Sequence, residues 1–187
     1  MARAIITTLT PNSHRRQLLA AGLALPFSGI AHAQLTCGEL TAPQTEGPFF
    51  KPKSPERTSL LEKSSVGDRM VLTGLVLSRQ CKPVANALLD FWHSDDMGEY
   101  DNQGFSYRGH QFSDPGGRFR LETIVPARYP GRTRHIHVKV QAATRGVLTT
   151  QIYFPGDAGN RRDPLFRDAL AMRKVAGEGR FDFVIEA

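Results

Sequence analysis

The sequence predicts an all-β protein, an antiparallel β-sandwich with long loops and one short C-terminal helix. Three observations carry this expectation. Short segments of alternating apolar and polar residues recur along the chain, turn-forming clusters separate them, and apart from one C-terminal stretch no helical periodicity lies between consecutive segments. Seventeen glycines and 12 prolines in 187 residues fit frequent turns and few long helices. With 40% hydrophobic and 22% charged residues, the chain has an ordinary globular composition, neither disordered nor disulfide-dense.

In chain order, the first element lies outside the sandwich. Arg15-Arg16 precede an apolar run from Leu18 to Phe27, and small residues follow as far as Ala31-His32-Ala33, an A-x-A cleavage pattern before Gln34. Residues 1–33 therefore read as a signal peptide, and the paired arginines give it a twin-arginine character. Ser is displaced to Ser13, and Leu stands where Phe is usual. The expected location is periplasmic or secreted. The apolar run, broken by Pro26, falls short of the roughly 20 residues a stable membrane anchor needs. The leader also accounts for half of the formal charge of +6: it holds Arg3, Arg15 and Arg16 and no acid, which leaves 21 basic against 18 acidic residues. That scattered excess gives no basic stripe, so nucleic acid is not an expected partner.

A Pro-rich, polar N-terminal arm follows over 34–68, and the sandwich domain is expected over 69–187. Its strands are legible as Met70 to Leu77, Ala87 to Trp92, Arg118 to Val125, His135 to Val140 and Thr149 to Phe154, with Phe181, Phe183 and Ile185 closing the series. Lys82-Pro83, Asp114-Pro115-Gly116-Gly117 and Pro155-Gly156-Asp157 supply the turns. The one credible helix starts at Asp163 as N-cap with Pro164 at its first position and stops at Gly177. The chain has two cysteines. In an oxidising compartment Cys37 and Cys81 are candidates for a disulfide tying the arm to the body, whereas in a reducing one they would be two ordinary thiols.

Four histidines remain beyond the leader, and two of them form His135-Ile136-His137 on an expected strand. Residues i and i+2 share a face of a strand, so both imidazoles point one way while Ile136, Val138 and Val140 point the other, into a core. This is an arrangement for two cis metal ligands, or for an exposed polar face. No C-x-x-C is present, which argues against a closed structural zinc site. A catalytic zinc or a His-His-carboxylate iron would take one of Asp95, Asp96, Glu99, Asp101 or Glu122, and position singles out none. Tyr100 and Tyr129 each lie in a loop after a strand. Two phenolates with two imidazoles would favour ferric iron over zinc or calcium, while the bland reading is two loop tyrosines each holding one hydrogen bond.

Taken together, the motifs resemble the intradiol ring-cleaving dioxygenases, the family of catechol 1,2-dioxygenases and protocatechuate 3,4-dioxygenase. The resemblance rests on Thr45-Glu46-Gly47-Pro48-Phe49-Phe50, Leu72-Thr73-Gly74, Lys82 to Ala87, Trp92 to Tyr100, Asp114 to Phe119 and Thr123-Ile124-Val125-Pro126 with Tyr129. It continues through Arg132-Thr133-Arg134-His135-Ile136-His137 and Leu148-Thr149-Thr150-Gln151-Ile152-Tyr153-Phe154. It implies that Tyr100, Tyr129, His135 and His137 bind a non-haem Fe(III), with Tyr129 and His137 axial and Tyr100 and His135 equatorial. By the same resemblance a catecholic substrate binds through both oxygens, Tyr129 acts as ligand and then base, and O2 cleaves the bond between the hydroxylated carbons to give a muconate-type diacid. Arg132 matches the arginine beside the iron, Gln151 the glutamine near the ring, and Pro48 a residue of the arm lining the substrate cavity.

The chain departs from those relatives in a short interval between Tyr129 and His135, in lacking a long helical linker, and in its export leader. The resemblance therefore leaves the substrate open, and the sequence sets no oligomeric state; a homo-oligomer is compatible with it. The alternative functions are a non-catalytic β-sandwich module binding carbohydrate or a protein partner and, more remotely, a zinc hydrolase.

Overall fold

The computed structural model describes Met1, residues 38–143 and residues 145–187. The expected leader and Cys37 lie outside the described residues, and so does any pairing of Cys37 with Cys81. From residue 38 onward the described residues belong to one unit, Leu35–Ala187.

Nine strands are described: β1 (Arg69–Ser78), β2 (Leu88–Trp92), β3 (Arg108–Phe112), β4 (Arg118–Ile124), β5 (His135–Gln141), β6 (Leu148–Tyr153), β7 (Arg173–Val175), β8 (Glu178–Arg180) and β9 (Phe183–Ile185). They form two sheets. One has the order β4-β1-β8-β7 with β9 also on β1, and the other has the order β3-β2-β5-β6. Leu72, Val76, Phe119, Leu121 and Phe183 from the first sheet meet Leu89, Phe91, Ile136, Val138, Val140 and Ile152 from the second in one apolar core. Full burial of each such side chain contributes about 1.5–3 kcal/mol, which is why the period-2 pattern located these strands correctly.

Three features differ from the sequence expectation. The first sheet is mixed, because β1 runs parallel to both β8 and β9. β3 carries Arg108, Gly109 and Gln111, so it shows no apolar alternation and its sequence gives no strand signal; Arg108 and Gln111 are nonetheless buried. The expected helix from Asp163 to Gly177 does not form. In its place stand a single 3-10 turn at Asp168–Leu170 and the antiparallel β7–β8 hairpin. A helix of that length is marginal in water without tertiary support, and tertiary contacts here favour sheet. Leu170 and Met172 bury into the core, and Ala176 and Gly177, with φ of 50° and 86°, make the two-residue hairpin turn that needs φ above zero twice.

The arm is a third layer over the second sheet. Gln44 N–H bonds to Thr149 O, His110 N–H to Pro55 O and Arg57 N–H to His110 O, at 2.8 to 3.0 Å. Glu46 pairs with Lys139, and Phe50 packs on Trp92 with centroids 5.0 Å apart.

Candidate metal centre

Strand register sets the layout. Arg108 lies opposite Trp92, Trp92 opposite His137, and His137 opposite Gln151, so one cross-strand row runs over four strands on the sheet face that points away from the core. His135 and Tyr153 form the neighbouring pair. The arm covers this face. His135 and His137 are only 4% and 3% exposed, and a Cβ on Gly47 would stand 3.4 Å from His137 Cε1. The two imidazoles expected on one strand face do share it, and that face is buried rather than solvated.

Two loops bring the tyrosines to the histidines. After β2, Asp95 accepts the Met97 and Glu99 amides on Oδ1, both at 2.9 Å, and turns the chain toward Tyr100. After β4, the Arg132 amide bonds to Tyr129 O at 2.9 Å, closing a turn over Pro130-Gly131. The loops are stitched together, with Ala127 N–H on Asp95 O at 2.9 Å and Ser94 Oγ donating to Ala127 O at 3.0 Å. Gly98 makes this possible. It has φ of +89°, and a Cβ there would lie 2.5 Å from the Arg128 carbonyl oxygen.

His135 Nδ1 lies 2.7 Å from Thr133 O. A carbonyl only accepts, so Nδ1 carries the proton and Nε2 presents a lone pair. That Nε2 lies 3.1 Å from His137 Nε2 and 3.4 Å from the Tyr100 hydroxyl. The Tyr129 ring stands edge-on to Tyr100 with centroids 6.1 Å apart, and Phe49 from the arm stacks on Tyr100 at 4.3 Å. Tyr100 is buried and Tyr129 half-buried.

Burial governs the electrostatics. Desolvation lowers the His135 pKa to about 4 and puts that of His137 well below the usual value, so both rings are neutral donors. Desolvation also raises the Tyr100 pKa, against the opposing fields of Arg132 and Arg108. A buried phenol ionises readily only beside a cation.

The donor set fits a metal ion. Two imidazole nitrogens about 2.1 Å from one ion at a right angle would be about 3 Å apart, which matches the observed pair. His137 Nε2, 3.1 Å from His135 Nε2, is the ring nitrogen that faces the site, and His137 Nδ1 is buried without a hydrogen-bond partner. No carboxylate joins: among the described residues no group of three His, Cys, Asp or Glu is placed to hold a metal ion. Asp95 is taken up by its own loop, Asp101 accepts the Gln103, Gly104 and Ser106 amides, and Glu122 pairs with Arg120. The oxygen donors that the loops bring to the imidazoles are phenols, Tyr100 directly and Tyr129 beside it, and such a set would suit a hard ferric ion.

Arg132 is held from three sides. Its Nε donates to Asp163 Oδ2 at 2.9 Å, and Nη2 donates to Gln151 Oε1 at 2.6 Å and to Tyr153 Oη at 3.4 Å. Gln151 Nε2 donates onward to Thr45 O of the arm at 2.9 Å. Asp163, read from sequence as a helix cap, instead accepts the Thr133 and Leu165 amides, both at 2.9 Å, as well as Arg132. Burial raises its pKa, but these donors outweigh burial and hold the carboxyl below the usual range. Sequence reasoning missed Asp163, Tyr153 and Phe49, because their roles depend on partners 12 to 51 residues away. Pro48 is exposed, and its neighbours Gly47 and Phe49 make the contacts with the site.

His93 supplies a pH prediction. It is fully enclosed, with Nδ1 on Ser94 O and Nε2 on Thr123 Oγ1, both at 2.6 Å, and desolvation lowers its pKa from 6.5 to about 4. The unfolded chain takes up a proton below 6.5 that the folded chain refuses until about 4. Its contribution is therefore complete above 6.5 and is lost as the pH falls through that window, a change on the order of 2 kcal/mol between about pH 7 and pH 4.5. Urea midpoints at the two pH values should lie closer together for His93→Gln than for the wild type; an unchanged gap would remove His93 as a source of acid sensitivity.

A family model described as Dioxygenase matches residues 45–176. The chain is 35% identical over 120 residues to the protocatechuate 3,4-dioxygenase beta chain of Burkholderia cepacia, covering 54% of this chain and 51% of that one. It is 29% identical over 187 residues to the hydroxyquinol 1,2-dioxygenase of Nocardioides simplex, covering 84% and 64%. The chain thus spans about half to two thirds of the length of these curated relatives. Among solved structures, it is similar to the dioxygenase domain of a dioxygenase carbohydrate-binding protein fusion from Streptomyces sp. SirexAA-E. The identity is 54% and the TM-score 0.76, with 79% of this chain and 99% of that one covered.

Proposed function

The chain belongs to the intradiol ring-cleavage dioxygenase family, and from that premise we propose that it cleaves a catechol-type ring between its two hydroxylated carbons with O2, as a non-haem Fe(III) enzyme. The observation that carries this reading is the enclosed convergence of His135 Nε2, His137 Nε2 and Tyr100 Oη within 3.1 to 3.4 Å, with Tyr129 against Tyr100. Tyr100, Tyr129, His135 and His137 would hold the ion. Ferric iron, when bound, supplies an electron-accepting centre that draws density from a bound catecholate and activates the ring toward O2.

The protein's own residues supply the rest. Tyr129, the less buried of the two phenols, is the one able to move, and its oxygen accepts a proton from a substrate hydroxyl. Arg132, locked by Asp163 and Gln151, presents a fixed positive charge to negative density developing on the ring. Gln151 spends its carbonyl on Arg132 and its amide on the arm, so it acts by orienting Arg132. The arm, through Gly47 and Phe49, keeps water from the donors. A non-catalytic binding module has no physical need for two phenols and two imidazoles around one point. Export is part of the same reading and rests on the Arg15-Arg16 leader pattern.

The test is optical. Purified protein loaded with ferric ion should be burgundy-red from tyrosinate-to-iron charge transfer, and Tyr100→Phe should bleach or shift the band. A colourless wild type after reconstitution sinks the iron assignment, and an unchanged variant spectrum removes Tyr100 from the ligand set. Oxygen uptake with catechol, protocatechuate and hydroxyquinol then ranks substrates.

A further inference from the structure

We infer that Arg108 is a positioning residue that pins the arm onto the metal-centre tyrosine, so that Phe49 and Tyr100 are held as one unit. Its side chain is among the most deeply buried in the protein, at 1% exposed. Yet no carboxylate lies within ion-pair distance of it among the described residues. The guanidinium instead spans two segments that are distant in sequence. Nε donates to Asp101 O at 2.9 Å, directly after Tyr100, and Nη1 donates to Phe49 O of the arm at 2.6 Å. Between these two anchors Phe49 stacks on Tyr100 with an interplanar angle of 11°, and the guanidinium carbon lies 6.0 Å from the Tyr100 ring centroid.

Nη2 is buried with no partner, so the site bears an unrecovered desolvation cost that an apolar side chain would avoid. Such a group is not explained by stability. It is explained by geometry: only a planar fork reaches both carbonyls from one point, and the residue stands in the same cross-strand row as Trp92, His137 and Gln151. Its charge faces the Tyr100 ring, where it opposes removal of an electron from a phenolate.

This inference rests on the iron reading given above, and its test separates the two. Arg108→Gln and Arg108→Lys are compared with wild type, with circular dichroism and a melting midpoint as folding controls. In the metal-free proteins, trypsin cleavage after Lys53 should accelerate about tenfold or more as the arm's local opening becomes cheaper. In the ferric proteins, the visible band should move to longer wavelength in Arg108→Gln, where the charge opposing electron removal is gone, and less in Arg108→Lys. Phe49→Leu, which leaves the guanidinium and both carbonyls in place, should also displace the band, and it decides the matter should both arginine variants fail to fold. A wild type without a visible band defeats the iron reading while the cleavage comparison still stands. A wild type with the band, beside folded Arg108 variants whose cleavage rate and spectrum match it, overturns the role of Arg108; so does an unmoved band in Phe49→Leu.

Discussion

Arg132→Met is expected to lower kcat by about 10²- to 10³-fold, the usual loss when one preorganised charge or donor facing a developing anion is removed, while ferric content stays near that of the wild type. Arg132 is not among the candidate ligands, so the donors at Tyr100, His135 and His137 remain in place. What goes is a cation whose direction is fixed by Asp163 and Gln151. The substitution also leaves the buried Asp163 carboxylate without its charge partner. Breaking a buried pair costs about 3–5 kcal/mol, and the Thr133 and Leu165 amides should keep the loss at or below the lower end. Asp163→Asn is the informative companion. It preserves the arginine but loosens its aim, so kcat should fall by about tenfold with the charge still present. Steady-state oxygen uptake with iron quantified in each sample decides this: equal losses of iron and turnover in Arg132→Met would mean that the arginine supports metal binding, contrary to the expectation.

Gly98→Ala carries the largest expected structural effect. A Cβ at this position would stand 2.5 Å from a backbone oxygen, that of Arg128, in a conformation with φ of +89°, so no side-chain rotation relieves the contact. Left-handed strain costs about 1–2 kcal/mol, and forced displacement of packed backbone adds about 1–3 kcal/mol. At about 2–4 °C per kcal/mol for a chain of this size, the melting midpoint should fall by roughly 10 °C. The displaced pieces are the two loops bearing Tyr100 and Tyr129, so the visible band should weaken in the ferric variant even where it stays folded. A midpoint within about 2 °C of wild type, with an unaltered spectrum, would show that the loops tolerate separation.

How much was readable in advance depended on the range of the interaction. Strands β1, β2, β4, β5 and β6 were legible because one face of each lies in the core, and a half-buried strand writes its alternation into consecutive residues. His135 and His137 could be paired for the same reason. β3 was not legible, since its buried positions include Arg108 and Gln111, whose burial is made tolerable by the arm and by loops elsewhere in the chain. The segment after Asp163 shows the opposite error. Its local signals, an N-cap residue, a proline and a distant glycine, are real, but Asp163 is committed to Arg132 and Thr133, and the glycine closes a hairpin.

By itself, then, the sequence determined the sandwich class and the strand faces, because each follows from short-range periodicity, and its motifs, each carried on a few adjacent residues, named Tyr100, Tyr129, His135 and His137 as candidate donors with Arg132 and Gln151 beside them. Only the tertiary structure decided that the histidine face is covered by the arm, that Asp163 and Gln151 aim Arg132, that Phe49 lies on Tyr100, and that the segment after Asp163 chooses hairpin over helix. Those outcomes are differences in burial and pairing between segments far apart in sequence, where desolvation and strand register outweigh local propensity.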